Sequence, residues 1–198
     1  MRRAEKKATS RQRIVKAAAR LMRRKGLDQT GIAEIMAEAG LTHGAFYAHF
    51  PDKTALAREA LPEANAFREQ WLAAPKELDD ASWLALIAER YLNRRHMDHP
   101  DEGCPYPNLA RDFAREGSAL RAAFEAEVRE TEAQMLARLD PENTDDGRPL
   151  AALAMLVGAL SLARAVDDPD YAERILAAAK ARLPSMAAAT PENGANDD

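Results

Sequence analysis

Apolar side chains recur along this chain with the period of an α-helix. Over residues 10–25 they fall at Ile14, Ala18, Leu21 and Met22, three or four residues apart. This spacing puts them on one face of a helix, and no stretch of the sequence alternates with the period of two that strands require. The pattern therefore predicts an all-helical protein.

Capping and helix-breaking residues divide the pattern into about nine helices. The first four are predicted to begin after the N-cap residues Ser10, Thr30, Thr42 and Asp52. Gly26 is predicted to end the first helix, and Pro62 to kink the fourth. Later helices are predicted at about 81–97, 108–116, 149–166 and 169–183, with one more of about five turns from Ser118.

Positive charge is concentrated at the N-terminal end. Residues 1–53 carry 12 Lys and Arg against 5 Asp and Glu, whereas the remaining residues carry 16 against 27. A basic head on an acidic body predicts that only the head meets a polyanion such as DNA. The alternative is that two solvated helix surfaces simply differ in charge.

Cysteine content and hydropathy limit the class of protein. The single cysteine, Cys104, allows no intrachain disulfide and fits a reducing cytoplasm. The longest apolar run, Leu150–Ala163, is shorter than the roughly 20 residues of a membrane span. We therefore expect a cytoplasmic protein without membrane contact.

A short polar segment raises the question of a metal site. It contains His96, His99 and Cys104 together with three carboxylates. Residues 98–105 cannot form a continuous helix through Pro105, so the favoured interpretation is an ordinary polar loop, without metal or cofactor. A catalytic pair of Cys104 with a histidine lacks a third group to orient the base. The sequence thus predicts no enzyme.

Two short helices in the basic segment suggest a helix-turn-helix. They are joined by a tight turn at Gly40, and such a pair places its second helix in the major groove of DNA. Phe46 and Phe50 are predicted to be buried. The residues predicted to face outward are Thr42, His43, Gly44, Ala45 and Tyr47. A purely structural helix corner is the alternative.

The residues of this segment resemble the DNA-binding signature of the TetR/AcrR family of transcriptional regulators. The matching elements are Ala39-Gly40, then Gly44-x-Phe46-Tyr47, then His49-Phe50-x-x-Lys53-x-x-Leu56. The resemblance covers residues 10–57, and Ala48 departs from the larger polar residue often found at its position. The rest of the chain is similar only in layout, a variable helical ligand-binding domain that ends in two dimerisation helices.

The resemblance implies roles for individual residues. Recognition-helix positions are occupied by Thr42, His43, Gly44, Ala45 and Tyr47. Phosphate contacts are implied for Tyr47, His49 and Lys53, and for the hydroxyl and backbone N–H groups at Thr30. The basic residues of the N-terminal arm are either minor-groove contacts or part of a mobile tail; they are Arg2, Arg3, Lys6 and Lys7.

The predicted helix over residues 149–166, the eighth, is apolar on nearly every side, so it must be covered on every side. A second copy of the chain is a natural cover, with the ninth helix contributing to a four-helix interface. The residues predicted to form this dimer interface are Leu153, Leu156, Val157, Leu160, Ile175 and Leu176. The alternative is a central helix buried within one chain.

Aromatic residues of the middle helices are candidates for an apolar ligand pocket. We name Trp71, Trp83, Tyr91, Cys104, Tyr106, Phe113 and Phe124. For any single one of them, a place in the core is the favoured interpretation. The segment Gly103-Cys104-x-x-x-Asn108-Leu109 resembles a branch of the family in which some members sense electrophiles or oxidants through a thiol. A small buried apolar side chain is the alternative for Cys104.

These observations predict a homodimeric transcriptional repressor that binds double-stranded operator DNA and is released by a small-molecule effector. The predicted domains are an arm and helix-turn-helix over residues 1–52, an effector-binding and dimerisation domain over 53–183, and a disordered tail over 184–198. The alternatives are an activating or non-specific regulator, a regulator that senses electrophiles through Cys104, and a helical ligand-binding protein with no role on DNA.

Overall fold

The computed structural model describes residues 3–139 and 147–187, and within these ranges the chain is helical without a strand. Its ten α-helices are α1 Arg3–Lys25, α2 Ile32–Glu38, α3 Lys53–Ala64, α4 Phe67–Leu72, α5 Asp80–Tyr91, α6 Arg94–Asp98, α7 Tyr106–Arg115, α8 Ser118–Leu139, α9 Arg148–Ala165 and α10 Pro169–Arg182. Short 3-10 helices span His43–Ala48, Pro100–Glu102 and Leu183–Ala187. The prediction of an all-helical fold is confirmed.

The first helix begins earlier than predicted. Ser10 lies inside α1 rather than at its N-cap, because the lysines, alanines and glutamate before it are good helix formers. The hydroxyl of Thr9 donates to the carbonyl of Glu5 over 2.9 Å, a bond within the helix. From residue 3 onward the predicted arm is therefore helix. Gly26 ends α1 as predicted, with a φ of +83° that a side chain would disfavour.

The predicted long fourth helix is two helices. Asp52 caps α3 as expected, and its carboxylate accepts the backbone N–H of Ala55 over 2.7 Å. Pro62 lies in the last turn of α3, where it has no N–H to donate. The chain leaves the helix at Asn65 before α4 begins at Phe67. Pro62 therefore precedes a helix end instead of kinking one continuous helix.

The described chain forms two compact units. The first contains the residues up to Trp71 together with Arg94–Thr131. In its core the predicted apolar stripe of α1, Ile14, Ala18, Leu21 and Met22, is buried against α2 and α3, in the same cluster as Phe46 and Phe50. Helix α7 also belongs to this unit and contacts α1.

The second unit contains Leu72–Asn93 and the described residues from Glu132 onward. Trp83 and Tyr91 of α5 are buried there, and the guanidinium of Arg138 lies 5.9 Å from the Trp83 ring centre. Residues 183–187 at the start of the predicted tail form a 3-10 helix, and residues 188–198 lie outside the described part of the chain. By length and composition α9 could cross a membrane, a criterion that apolar core helices also meet.

Candidate nucleic-acid interface

Residues 42–50, which we call the recognition segment, present polar side chains outward over a buried aromatic base. Thr42, His43 and Gly44 are exposed, and Tyr47 is 62% exposed. Phe46 and Phe50 are buried, with ring centres 5.9 Å apart. This alternation follows the sequence prediction, although the segment is a 3-10 helix, His43–Ala48, rather than an α-helix. Ala45, within this helix, is half-buried.

Two features make this surface suitable for close contact with a partner. The Tyr47 ring stands edge-on to Phe46, with centres 5.2 Å apart, so its position is fixed from below. A Cβ added at Gly44 would meet nothing within 4 Å. The chain's own packing therefore does not demand a glycine at this position, and the backbone is open to an approaching surface.

Lys53 lies in the first turn of α3 beside the recognition segment. Its Nζ donates to the backbone carbonyl of Leu27 over 2.6 Å, and the side chain is half-buried. An ammonium has three donors, so this bond leaves two of them for other acceptors. The bond fixes the place of the positive charge beside the turn between α1 and α2.

His49 is half-buried, and within the described chain its Nδ1 is buried without a hydrogen-bond partner. Burial lowers the pKa of His49, and the positive charges of Lys7 and Arg11 lower it further. At neutral pH the imidazole is thus uncharged. Arg11 donates to the carbonyl of His49, pairs with Glu59 of α3 and lies 4.0 Å from the Phe50 ring centre. Arg11 therefore holds the end of the recognition segment between α1 and α3.

Thr30 does not have the role that the sequence suggested. It is fully buried, its hydroxyl donates to the carbonyl of Gly26 over 2.6 Å, and its backbone N–H donates to Leu27. The N-cap of α2 is Gly31, without a side-chain capping bond. Both groups predicted to contact phosphate are thus used within the turn that leads into α2, and the prediction for Thr30 is wrong.

The positive charge of α1 is less available than the residue count indicates. Arg20 pairs with Glu38 over 2.5 Å, and Arg24 and Lys25 both pair with Glu34. The remaining basic residue of this stretch, Arg23, is turned inward and donates to the carbonyls of Asp101 and Ala64 over 2.7 and 3.1 Å. The sequence shows the charge total, whereas these pairings depend on the contacts between helices.

The candidate ligand residues do not form one group. Cys104, Tyr106, Phe113 and Phe124 lie in the first unit, where the Phe124 ring centre is 5.4 Å from Tyr106 and 5.5 Å from Phe113. Trp71 is buried in the same unit. Trp83 and Tyr91 are buried in the second unit. All except the half-buried Phe124 belong to the core of the chain.

A buried polar network surrounds Tyr106, and no motif in the sequence signals it. The Tyr106 hydroxyl lies 2.7 Å from Thr131 Oγ1 and from the carbonyl of Glu127. Asn65 Nδ2 donates to the same hydroxyl and to the Glu127 carboxylate, which Arg68 also contacts over 3.2 Å. Burial raises the pKa of Tyr106 to about 12. These partners come from α3, α4 and α8, so only the fold brings them together.

Cys104 lies in the turn before α7 and is only 2% exposed. Its backbone N–H donates to His96 Nε2 over 2.9 Å, so His96 carries no proton on that nitrogen. A Cβ at Gly103 would stand 2.1 Å from the His96 ring, and the glycine permits this close packing. Among residues 3–139 and 147–187 no three His, Cys, Asp or Glu side chains are grouped as metal ligands.

Most residues of the predicted dimer face of α9 point into the chain's own core. Leu153, Leu156 and Leu160 are buried within the chain itself, as is Leu176 of α10, so they offer almost no surface to a second copy. Their apolar side chains fill the core of the second unit. Val157 and Ile175 remain half-exposed. The outward face of α9 is instead formed by Leu150, Ala151, Ala154, Val157, Gly158, Leu162 and Ala165.

This outward face is unusually apolar for a solvent-facing surface. Leu150 is 42% exposed and Leu162 is 60% exposed, and Tyr171 of α10 is 47% exposed. A Cβ added at Gly158 would meet nothing within 4 Å. Another helix could therefore approach the backbone closely at this point.

Comparison with known proteins identifies the N-terminal segment. Residues 14–60, from α1 through the recognition segment into α3, match the family model of the bacterial regulatory proteins of the tetR family. Residues 14–60 are therefore a segment of the tetR family. The match ends within α3 and leaves the later helices to structural comparison.

Relatives extend the comparison beyond this segment. The HTH-type transcriptional regulator LmrA of Bacillus subtilis is 32% identical over 117 residues, 58% of this chain and 62% of LmrA. A TetR regulator of Chloroflexus aurantiacus has a TM-score of 0.72 at 26% identity, over 91% of this chain and 95% of that structure. One from Cytophaga hutchinsonii has a TM-score of 0.74 at 20% identity, over 92% and 94%. The chain thus has the fold of these solved TetR-family regulators, and it spans 62% of the length of LmrA.

Proposed function

We propose that this regulator is a repressor that binds operator DNA as a homodimer and leaves it when a small-molecule effector binds. The observation that carries the proposal is the recognition segment, where Thr42, His43, Gly44 and Tyr47 are exposed above a buried Phe46 and Phe50. A rigid base with polar side chains pointing outward is what reading a DNA groove requires.

We assign two kinds of contact within this segment. Thr42 and His43 read base edges, while Gly44 and Ala45 let the backbone come close to the DNA. Tyr47, His49 and Lys53 contact phosphates and fix the register. The exposed hydroxyl end of Tyr47 and the positioned ammonium of Lys53 support these assignments. For His49 the low pKa favours a neutral N–H donor over an imidazolium.

We propose that the homodimer forms through the outward face of α9, with Tyr171 and Ile175 of α10 at its edge. The support is the exposed apolar surface at Leu150 and Leu162 and the open backbone at Gly158. Burial of such a surface against its own copy removes apolar area from water. A two-fold dimer would place two recognition segments on a pseudo-palindromic operator.

We propose a non-covalent effector, a role without enzymatic activity and a cytoplasmic location. The cluster of Tyr106, Phe113 and Phe124 beside a buried polar network combines apolar walls with a few oriented hydrogen-bonding groups, as ligand sites do. Cys104 is 2% exposed and its backbone N–H is bonded to His96, which favours a structural thiol over an electrophile sensor.

The test is operator binding by the purified full chain. Fluorescence anisotropy is measured with labelled DNA from upstream of its own coding region, and with a shuffled duplex of the same composition. We expect binding to the upstream duplex at least about 10³-fold tighter than to the shuffled one at physiological salt. Equal affinity for both duplexes contradicts an operator-specific role, and activation rather than repression in a reporter strain contradicts the repressor role.

A further inference from the structure

Helix α7 holds the end of α1 through two side chains, Asn108 and Asp112, one helical turn apart. Asn108 Nδ2 donates to the carbonyls of Arg23 and Arg24 over 2.5 and 3.3 Å. These carbonyls lie in the last turn of α1, where no further helical N–H can reach them. Asn108 therefore caps α1 from outside the helix.

Asp112 completes this attachment on the turn that follows. A single carboxylate oxygen, Oδ2, accepts the backbone N–H of Leu27 over 2.7 Å and that of Asp28 over 3.2 Å. Gly26 makes the approach possible, because a Cβ there would stand 2.4 Å from the same oxygen. The turn between α1 and α2 is thus fixed to α7 by a carboxylate.

The same turn fixes Lys53. The N–H of Leu27 is bonded to Asp112, and its carbonyl accepts the Lys53 ammonium over 2.6 Å. One backbone residue therefore joins a carboxylate of α7 to the proposed phosphate contact at the start of α3. At the other end of α3, its C-cap Asn65 donates to Tyr106 of α7 over 2.9 Å. Helix α7 is therefore linked to both ends of α3, through Leu27 at Lys53 and directly at Asn65.

From this geometry we propose that Asp112 is a positioning residue for DNA binding, which sets the Lys53 ammonium through the Leu27 peptide. The inference rests on the proposed function. Helix α7 also carries Tyr106 and Phe113, two candidate ligand residues, on its buried face. A ligand that moves α7 therefore moves the turn at Leu27 and withdraws Lys53 from its phosphate.

Net charge and positioning predict opposite changes in DNA affinity when the Asp112 carboxylate is removed, so the Asp112→Ala variant distinguishes them. Removal of a carboxylate makes the protein more positive, so simple electrostatics predicts tighter DNA binding for Asp112→Ala. Positioning predicts weaker binding, by about tenfold, because the Lys53 ammonium would lose its charged hydrogen bond to a DNA phosphate. Because both bonds reach one oxygen, Asp112→Asn keeps an acceptor and should stay within about threefold of the wild-type affinity.

The experiment measures operator affinity of the full chain across a range of salt concentrations. For each DNA phosphate that the protein no longer neutralises, the slope of log K against log salt becomes shallower by about 0.9. We expect Asp112→Ala and Lys53→Met to make the slope shallower alike, and the double variant to change it no further. The matched control is Asp28→Ala, which removes a carboxylate from the same turn but leaves the backbone bonds to Asp112 in place. It should keep the wild-type slope.

A second measurement does not depend on DNA. The ammonium signal of Lys53 in NMR should exchange slowly with water in the wild type and rapidly in Asp112→Ala, at a temperature where melting curves show both folded. An unchanged salt slope and unchanged exchange in Asp112→Ala overturn the proposal while wild-type operator binding keeps the proposed function. A wild type that binds no DNA overturns both.

Discussion

The recognition segment and helix α9 are both surfaces that the sequence marks for contact, yet only the first has the predicted face outward. Thr42, His43 and Tyr47 are exposed as expected. In α9 the helix is in the predicted place, but Leu156 and Leu160, predicted to meet a second copy, are buried in the chain's own core.

The difference follows from how clearly apolar and polar positions are separated in each of the two segments. The recognition segment mixes two phenylalanines with small and polar residues, so burying Phe46 and Phe50 determines which residues remain outside. Helix α9 is apolar on nearly every side, so burying any stripe of it gains about the same free energy. Its orientation is decided by the neighbouring helices, which a single-helix pattern does not describe.

The largest expected difference is between charged substitutions on the buried side and on the outward side of α9. Leu156→Glu places a charge in the core of the second unit and should prevent folding, because an unpaired buried carboxylate costs several kcal/mol. Leu162→Glu places the same charge on the outward face, which is 60% exposed. It should fold with wild-type helicity but sediment as a monomer and lose operator binding.

The control for the second variant is Ala122→Glu, which adds the same charge at an exposed position of α8. It should leave the oligomeric state unchanged. If Leu162→Glu sediments as a dimer at the wild-type concentration dependence, the interface lies elsewhere and the outward face of α9 is an ordinary surface.

The next largest expected difference is in the stability of variants at two neighbouring residues, Phe46 and Tyr47. Phe46→Ala removes a fully buried ring and should lower the free energy of unfolding by about 3–5 kcal/mol. Tyr47→Ala removes a mostly exposed ring and should change stability by less than about 0.5 kcal/mol, while weakening operator binding. Urea unfolding and anisotropy on the same samples measure both. Equal decreases of stability in the two variants would mean that Tyr47 is a core residue.

The sequence predicts the helical class, most helix ends and the buried stripe of α1, because each depends on neighbours a few residues apart. Asp52 caps α3 and Gly26 ends α1, as expected. The role predicted for Thr30 is wrong although its hydrogen-bond partners, Gly26 and Leu27, are only four and three residues away. The network around Tyr106, in contrast, depends on contacts between segments that are distant in the chain. Asn108 and Asp112 belong to that group too, since only the fold brings them to the end of α1.

A smaller effect should distinguish positioning from readout within the interface. Lys53→Met removes a phosphate contact and should weaken binding to all duplexes alike, with a shallower salt slope. His43→Ala should instead reduce discrimination between operator variants by about 1–3 kcal/mol per base pair, with an unchanged slope. Anisotropy with the operator, single-base variants and a shuffled duplex measures both. A uniform decrease in affinity for His43→Ala would assign it to the backbone contacts.

The thiol of Cys104 offers a test of the proposed effector. Because the side chain is 2% exposed, treatment with an electrophile such as N-ethylmaleimide should leave operator affinity unchanged in the wild type. Cys104→Ser serves as the matched control for reactions at other residues. A drop in affinity in the wild type but not in Cys104→Ser would show that the thiol senses electrophiles and that the non-covalent effector is wrong.

The smallest effect concerns the pH dependence contributed by His49. Its pKa in the folded chain lies below the ordinary value of 6.5, first because of burial and then because of Lys7 and Arg11. Above this ordinary value both the folded and unfolded states are neutral at His49, so its contribution to stability is fully present. As the pH falls below about 6.5, the unfolded chain binds the proton more readily, and the free energy of unfolding decreases. We expect urea unfolding to show a steeper decrease of stability between pH 6.5 and 5 for the wild type than for His49→Gln. Identical pH profiles would mean that His49 titrates as it does in the unfolded chain, and the assignment of a neutral donor to phosphate would lose its support.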